Sequence, residues 1–412
     1  MAGEWAECKL ADACSSIDYG FTASASDSEV GPRFLRITDI VSGHVDWKVV
    51  PYVAADHGAI RKYRLDDGDI VLARTGASTG ASTYIKSPPV AVFASYLVRL
   101  KAKPNFDSRF LAYYLKSEMF WDFIRGVLGD KSAQPNASAS TMTQAPLRAP
   151  TSKDEQRAIA HILGTLDDKI ELNRRMNETL ESVARALFKS WFVDFDPVRA
   201  KAEGRDPGLP PHIAALFPDR FEDSELGEIP KGWQVERLDS VVVLQRGFDL
   251  PVTRRTPGPY PVIAASGPSG THSECMVRGP GVTTGRSGVL GRVFYVHDDF
   301  WPLNTSLWVK EFRRSKPAYA FHLLRRLDFG LFNAGSAVPT LNRNHVHNLP
   351  TLAPPAAIID AFEEIATATL RRQRCNDVQA ETLAALRDAL LPKLISGEIR
   401  VKDAGRFEEA LA

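Results

Sequence analysis

Cysteine is scarce in this 412-residue chain, which has only Cys8, Cys14, Cys275 and Cys375. No two of them form a Cys-x-x-Cys pair. That excludes a disulfide-dense scaffold and a thiolate zinc ribbon, and points to a reducing, cytoplasmic setting. Hydrophobic runs are short as well. None approaches the roughly 20 residues of a membrane-spanning helix, so no membrane partner is expected. The opening Met1-Ala2-Gly3-Glu4-Trp5 has neither the basic nor the apolar segment of a secretion signal. The loops of nucleotide chemistry are missing too. There is no Gly-x-x-x-x-Gly-Lys-Ser/Thr, and no glycine-rich turn with a following acidic residue to hold a dinucleotide. His345-Val346-His347 is the one close histidine pair, and no Cys or carboxylate pattern completes a metal site around it. Two fragments come near catalytic motifs and fall short. Ser87-Pro88-Pro89-Val90 has the polar-Pro-Pro frame of an amino-methyltransferase without the aromatic that would stack on a base. Asp167-Asp168-Lys169 has a nuclease-like carboxylate–Lys ending without its upstream Pro-Asp. The expectation is a chain with no catalytic residues, no metal and no cofactor of its own.

What is present is the composition of a folded protein, 44% hydrophobic and 25% charged, with length for two or three domains. The net charge is only +1, but it is unevenly spread. Residues 233–353 carry +6, against −4 for 193–232, −2 for 354–412, +1 for 1–151 and 0 for 152–192. A basic stretch between less basic neighbours suits a surface that faces phosphates. A solvated basic face without a partner is the competing reading.

The strongest internal signal is repetition. Trp5-x4-Leu10 returns as Trp233-x4-Leu238. Thr75-Gly76-Ala77-Ser78-Thr79-Gly80 is echoed by Thr284-Gly285-Arg286-Ser287-Gly288. Ser132-Ala133-Gln134-Pro135 is echoed by Ser336-Ala337-Val338-Pro339, and Glu178-Thr179-Leu180 by Glu381-Thr382-Leu383. The offsets run 228, 209, 204 and 203, so the copies differ in length early and keep step later. Two variants of one globular plan, each followed by a shared helical frame, account for this.

Each globular part reads as mixed α/β. Runs rich in β-branched and aromatic residues predict strands at Phe34–Ile40, Asp69–Arg74, Ala91–Phe93, Tyr96–Leu100, Val241–Leu244 and Val289–Val296. Amphipathic spacing predicts helices over Phe110–Ile124 and Ala318–Leu327. Ser152-x-x-Glu155 is a capping box that opens a long helix. Leu163, Leu166, Ile170, Asn173, Asn177, Leu180, Ala184, Leu187 and Trp191 then follow at alternating steps of three and four, a heptad seam. A second long helix begins after Pro354-Pro355, with a less regular seam of Phe362, Ile365, Thr369, Asn376, Leu383, Leu386, Leu390 and Leu394. Asn at such a seam lowers stability but specifies register. At about 39 residues each, these helices would reach roughly 58 Å. The predicted fold is mixed α/β: globular domains at 1–151 and 233–353, a spacer helix at 152–192, a Pro-rich connector at 193–232, and a C-terminal helix and tail at 354–412. The two helices are expected to pair antiparallel as a coiled-coil spacer.

Four stretches carry a family resemblance: Asp154–Arg175, Ala186–Val198, Glu225–Trp233 and Leu390–Ile399. With the repeat and the two helices, they make nearly the whole chain resemble the specificity subunits of Type I restriction-modification systems. The resemblance implies a non-catalytic recognition subunit with two target-recognition domains, each reading one half of an interrupted site in double-stranded DNA. It implies that the helices space those domains and dock methyltransferase subunits, two copies, and that a restriction/translocase subunit joins the complex. S-adenosylmethionine, ATP and Mg²⁺ are then expected on the partner subunits. A DNA-binding regulator, or another defence-complex scaffold of the same fold, is the alternative.

Candidate DNA contacts follow from loop position and residue type, because arginine suits guanine edges and small-residue loops let a backbone approach phosphate. In the first domain they are Arg36, Thr38, Arg74, Thr75, Gly76, Lys131, Ser132 and Gln134. In the second they are Arg246, Thr284, Gly285, Arg286, Ser287, Asn304, Ser336, Thr340 and Arg343.

Overall fold

The apolar steps after Ser152 build one unbroken helix, Lys153–Phe192, and those after Pro355 build another, Ala356–Ser396. In the computed structural model, which describes residues 4–41, 43–128, 136–332 and 339–401, the chain divides into two units. One comprises 1–173 with 379–412, the other 174–378.

Unit 1 contains strands β1 (Trp5–Lys9), β2 (Cys14–Tyr19), β3 (Arg33–Leu35), β4 (Ile70–Ala73), β5 (Ser82–Tyr84), β6 (Ala91–Phe93), β7 (Leu97–Ala102) and β8 (Pro146–Pro150). Its helices are α1 (His57–Tyr63), α2 (Ser108–Tyr114), α3 (Glu118–Leu128) and α4 (Ala139–Met142), with the first part of α5 (Lys153–Phe192). The main sheet runs β2-β7-β4-β5, all antiparallel. Side chains alternate across it: Ile70 and Leu72 join the core beneath α2 and α3, while Val71 and Ala73 pack with Leu35 and Phe93 on the other face. β1 pairs antiparallel with β8, and β3 pairs parallel with β6.

Three expectations are corrected. The strand foreseen over Phe34–Ile40 stops at Leu35, because the Asp39 carboxylate takes both the Arg36 N–H and its guanidinium and closes a 3₁₀ turn instead. The single helix over Phe110–Ile124 is two, interrupted where the Ser117 hydroxyl turns back to the Tyr114 carbonyl. The strand over Val289–Val296 begins only at Val293, after Gly291 adopts a φ of 81°.

Unit 2 begins in the second part of α5 and continues through α6 (Asp196–Ala202), α7 (Pro211–Ala214) and the hairpin β9 (Phe221–Ser224) and β10 (Gly227–Pro230). Phe195, Val198, Phe217 and Ile229 of this Pro-rich stretch lie in the same core as Trp191 and Trp233. Then come β11 (Gln234–Arg237), α8 (Leu238–Val241), β12 (Val242–Arg246), β13 (Tyr260–Ala264), β14 (Gly267–His272), β15 (Gly281–Gly285), β16 (Val293–Val296), β17 (Trp301–Pro302), β18 (Ser306–Phe312), α9 (Pro317–Arg325), α10 (Arg343–His347) and β19 (Pro350–Ala353). The first part of α11 (Ala356–Ser396) closes the unit. The sheet order β12-β18-β15-β16 reproduces β2-β7-β4-β5 strand for strand. The antiparallel pair β11–β19 reproduces β1–β8, and the parallel pair β13–β17 reproduces β3–β6. The internal repeat is therefore a repeat of topology.

Within each unit the two long helices run antiparallel. In unit 1, Asp167 pairs with Arg387 at 2.7 Å and Asn173 with Gln379 at 2.9 Å, and Glu155 pairs with Arg400, four residues past the end of α11, at 3.2 Å. In unit 2, the Asn177 amide donates to Asp377 at 2.7 Å and its oxygen accepts from Asn376 at 2.8 Å, while Trp191 and Phe192 meet Phe362. Leu163, Asn173, Ala184 and Trp191 are buried, and Leu166, Ile170, Asn177, Leu180 and Leu187 half-buried, as a seam requires. Leu383, Leu386 and Leu390 are half-buried too. Ile365 is a correction: it faces solvent, and Ala366 and Leu370 take the buried positions. The near-motif Asp167-Asp168 is structural. Asp167 accepts from Tyr113 and Arg387, and Asp168 from Arg109 and Lys86. Burial pushes the Asp168 carboxyl upward, but the Arg109 and Lys86 bonds outweigh it and hold it below its ordinary range.

Candidate nucleic-acid interface

At one end of the unit 2 sheet the chain cannot continue as a ladder. A Cβ on Gly247 would lie 2.3 Å from the Leu303 carbonyl oxygen, so only glycine lets β12 cross there. Arg246, the last residue of β12, is thereby left exposed at the sheet edge, 3.3 Å from Asp249. Arg286 leaves β15 beside it. Its N–H donates to the Thr305 carbonyl at 2.8 Å and its guanidinium to the Asn304 carbonyl at 3.2 Å. Asn304 in turn donates to Asp249. Ser287 bridges to Thr340, and the Arg286 carbonyl accepts from Leu341 at 2.8 Å. Asn342 then caps α10, accepting the Asn344 N–H at 3.0 Å, and Arg343 starts that helix exposed. Arg246, Arg286, Thr340, Asn342 and Arg343 together line a concavity of about 500 Å³. The helix is anchored from behind, where His347 Nε2 accepts the Leu244 N–H at 2.9 Å. Burial, with Arg343, Arg237 and Arg313 nearby and against Asp239, holds His347 below its ordinary range. Accepting at Nε2 requires an unprotonated nitrogen there, and the downward shift works in the same direction.

The same residues can be followed through unit 1. Tyr19 lies opposite Val98, and Val98 opposite Leu72; Arg246 lies opposite Leu307, and Leu307 opposite Thr284. Arg74 then donates its N–H to the Tyr96 carbonyl at 3.1 Å, and its own carbonyl accepts from Ala137 at 3.0 Å. Arg74 is thus the counterpart of Arg286, Thr75 of Ser287, and Tyr19 of Arg246. Thr75 bridges to Asn136 as Ser287 does to Thr340, and Ser138 caps α4 as Asn342 caps α10. Arg74 lies 5.0 Å over the Tyr19 ring, and the Tyr19 hydroxyl accepts the Ala139 N–H at 3.0 Å. A Cβ on Gly20 would stand 2.2 Å from the Ala94 carbonyl oxygen, the same crossing as at Gly247.

The Thr-Gly correspondence drawn from the sequence is therefore corrected by three residues. Thr284 matches Leu72, so Thr284 and Gly285 are buried strand residues rather than loop. Their strand lies in the middle of the sheet, and a Cβ on Gly285 would fall 1.7 Å from the Val289 carbonyl oxygen. Thr75 and Gly76 do form a turn, with Gly76 at a φ of 73° and its carbonyl accepting from Thr79. Arg36 and Thr38 belong to another place, the turn after β3, where Asp39 holds Arg36 at 3.0 Å. That hydrogen bond raises the pKa of Arg36 above its ordinary value. Lys131, Ser132, Gln134 and Ser336 lie outside the described residues. Tyr19, Asn136, Ser138, Asp249 and Asn342 were missed. Tyr19-Gly20-Phe21 and Arg246-Gly247-Phe248, offset by 227 residues, were the overlooked signal.

Among the described residues no group of three or more His, Cys, Asp or Glu is placed to hold a metal ion, and no helix is long and apolar enough to cross a membrane. Residues 3–182 match the family described as the Type I restriction modification DNA specificity domain. The Type I restriction enzyme HindI specificity subunit of Haemophilus influenzae is 25% identical over 475 aligned positions, covering 96% of this chain and 100% of that protein. The MjaIX specificity subunit of Methanocaldococcus jannaschii is 26% identical over 325, covering 73% and 71%. In fold, the chain is similar to the crystal structure of a Type I restriction-modification S subunit from M. genitalium. The TM-score is 0.65 at 14% identity, over 95% of this chain and 96% of that one.

Proposed function

We propose that this chain is a Type I restriction-modification specificity subunit, the DNA-recognition subunit of such a complex, without catalytic residues of its own; the family match over residues 3–182 and the specificity subunits it is similar to support this reading. Each unit reads one half of an interrupted site in double-stranded DNA. The observation that carries this reading is that two units of one topology each present an arginine, Arg74 or Arg286, at the same sheet end beside a capped short helix. Guanidinium groups suit both phosphate and guanine. Unlike neighbours around the two arginines suit two unlike half-sites.

In this reading α5 and α11, of 40 and 41 residues and each about 60 Å long at 1.5 Å per residue, act as the spacer. They also dock two methyltransferase subunits, and a restriction/translocase subunit completes the complex. S-adenosylmethionine, ATP and Mg²⁺ are bound by those partners, and the complex works in the cytoplasm.

The test is methylome sequencing of the host with and without the gene. A two-part methylated motif that vanishes on deletion is expected, and unchanged methylation refutes the reading. Arg286→Ala should weaken or relax one half of the motif only. Equal loss in both halves would refute its assignment to one half-site.

A further inference from the structure

The register that equates the two units also shows where they differ. Position 74/286 is arginine in both. Position 19/246 is tyrosine in unit 1 and arginine in unit 2, and position 139/343 is alanine in unit 1 and arginine in unit 2. The unit 2 concavity is thus ringed by three guanidinium groups, whereas the three matching positions of unit 1 carry one, Arg74 beside Tyr19. In unit 1 the N–H of Ala139 is taken by the Tyr19 hydroxyl, so that pair is closed on itself. In unit 2 Arg246 is half exposed and steered by Asp249, which Asn304 holds in turn. Arg343 projects from the first position of α10, whose place is secured by the His347–Leu244 bond. Two arginines aimed from two different elements into one concavity can each offer a planar donor fork, and a guanine O6/N7 edge is the base pattern that accepts it.

We propose that Arg246 and Arg343 are the specificity-determining residues of unit 2. They read guanine edges in its half-site, and Tyr19 and Ala139 deny unit 1 the same reading. This rests on the DNA-recognition role proposed above and names the residues that make the two half-sites unlike. An arginine–guanine pair discriminates by about tenfold to a hundredfold.

The experiment expresses the full chain with its partner methyltransferase in a host lacking the gene, and reads the methylated motif. Arg246→Tyr and Arg343→Ala should each turn one guanine requirement in the same half-motif into a degenerate position, leaving the other half-motif intact. Arg246→Lys keeps the charge and the stem while removing the fork, and should relax the same position. An unchanged motif in all three variants overturns the proposal. So does equal relaxation in both halves. So does a result in which Arg246→Lys keeps the full motif while Arg246→Tyr abolishes all methylation, since position 246 would then serve folding or phosphate contact. If the unaltered chain yields no two-part motif, the recognition role itself fails and this assignment falls with it.

Discussion

One chemical change, Gly→Ala, is predicted with one sign at Gly247 and Gly20 beside the two sites and with the other at Gly126 in α3. An alanine Cβ at Gly247 would meet the Leu303 oxygen at 2.3 Å and the Pro302 oxygen at 2.5 Å, where ordinary contact begins at 3.4 Å. The backbone must therefore part by about 1 Å. It is not free to do so, because Gly247 donates to Ser306 at 3.0 Å and Phe248 to Pro302 at 2.8 Å across the same gap. Overpacking against side chains costs about 1–3 kcal/mol, and two backbone carbonyls on a hydrogen-bonded crossing place Gly247→Ala at the upper end, about 3 kcal/mol. For a unit of this size that lowers the melting temperature by about 6–12 °C. Gly20→Ala, at 2.2 Å and 2.3 Å from Ala94 and Phe93 oxygens, should do the same in unit 1. Gly126, in α3, has nothing within 4 Å of its Cβ position, so Gly126→Ala should add about 0.5–1 kcal/mol through helix propensity. Scanning calorimetry of the three purified variants is the assay. If Gly247→Ala melts within a degree of the unaltered protein, or rises as Gly126→Ala does, the close-crossing argument is wrong, and with it the account of how Arg246 is positioned.

His322 is buried against Phe188 and Phe362 in unit 2, and burial together with Arg325 pushes its pKa down to about 4. The unfolded chain then takes up the proton first on acidification. Stability is full above about pH 6.5 and declines toward pH 4 by on the order of 3 kcal/mol. His322→Phe should flatten that slope in urea titrations across this range, and an unaltered slope would rule out His322 as its source. Asn177→Leu removes the oxygen that Asn376 donates to and the amide that reaches Asp377, and should cost about 1–3 kcal/mol. Replacing both Asn177 and Asn376 by Leu should recover part of that loss, since neither position then leaves the other's amide unmet. A single variant more stable than the parent in equilibrium unfolding would contradict this.

Periodicity along the chain was enough to find the two long helices, the seam of the first and the twofold repeat, because a heptad pattern and a duplicated topology are written in local spacing; in the less regular second helix it misplaced Ile365. The strands β6 and β7 and the helix α9, which Pro317 opens, were legible for the same reason. The candidate site was legible only in part. Arg74, Arg246, Arg286, Thr340 and Arg343 were picked by type, and four of them do surround one concavity. Which residues correspond between the units was decided by strand register, a long-range property. Thr284-Gly285 looks like Thr75-Gly76 in sequence, yet pairing opposite Leu307 and Ser306 buries it in mid-sheet and slides the match to Leu72-Ala73. The match of Tyr19-Gly20-Phe21 to Arg246-Gly247-Phe248 marks the position of Tyr19 but not what its ring touches. Only the crossing at Gly20, imposed by a carbonyl 74 positions away at Ala94, brings its ring under Arg74. Local spacing determined what elements form; the hydrogen bonds between distant strands determined which side chains share a site.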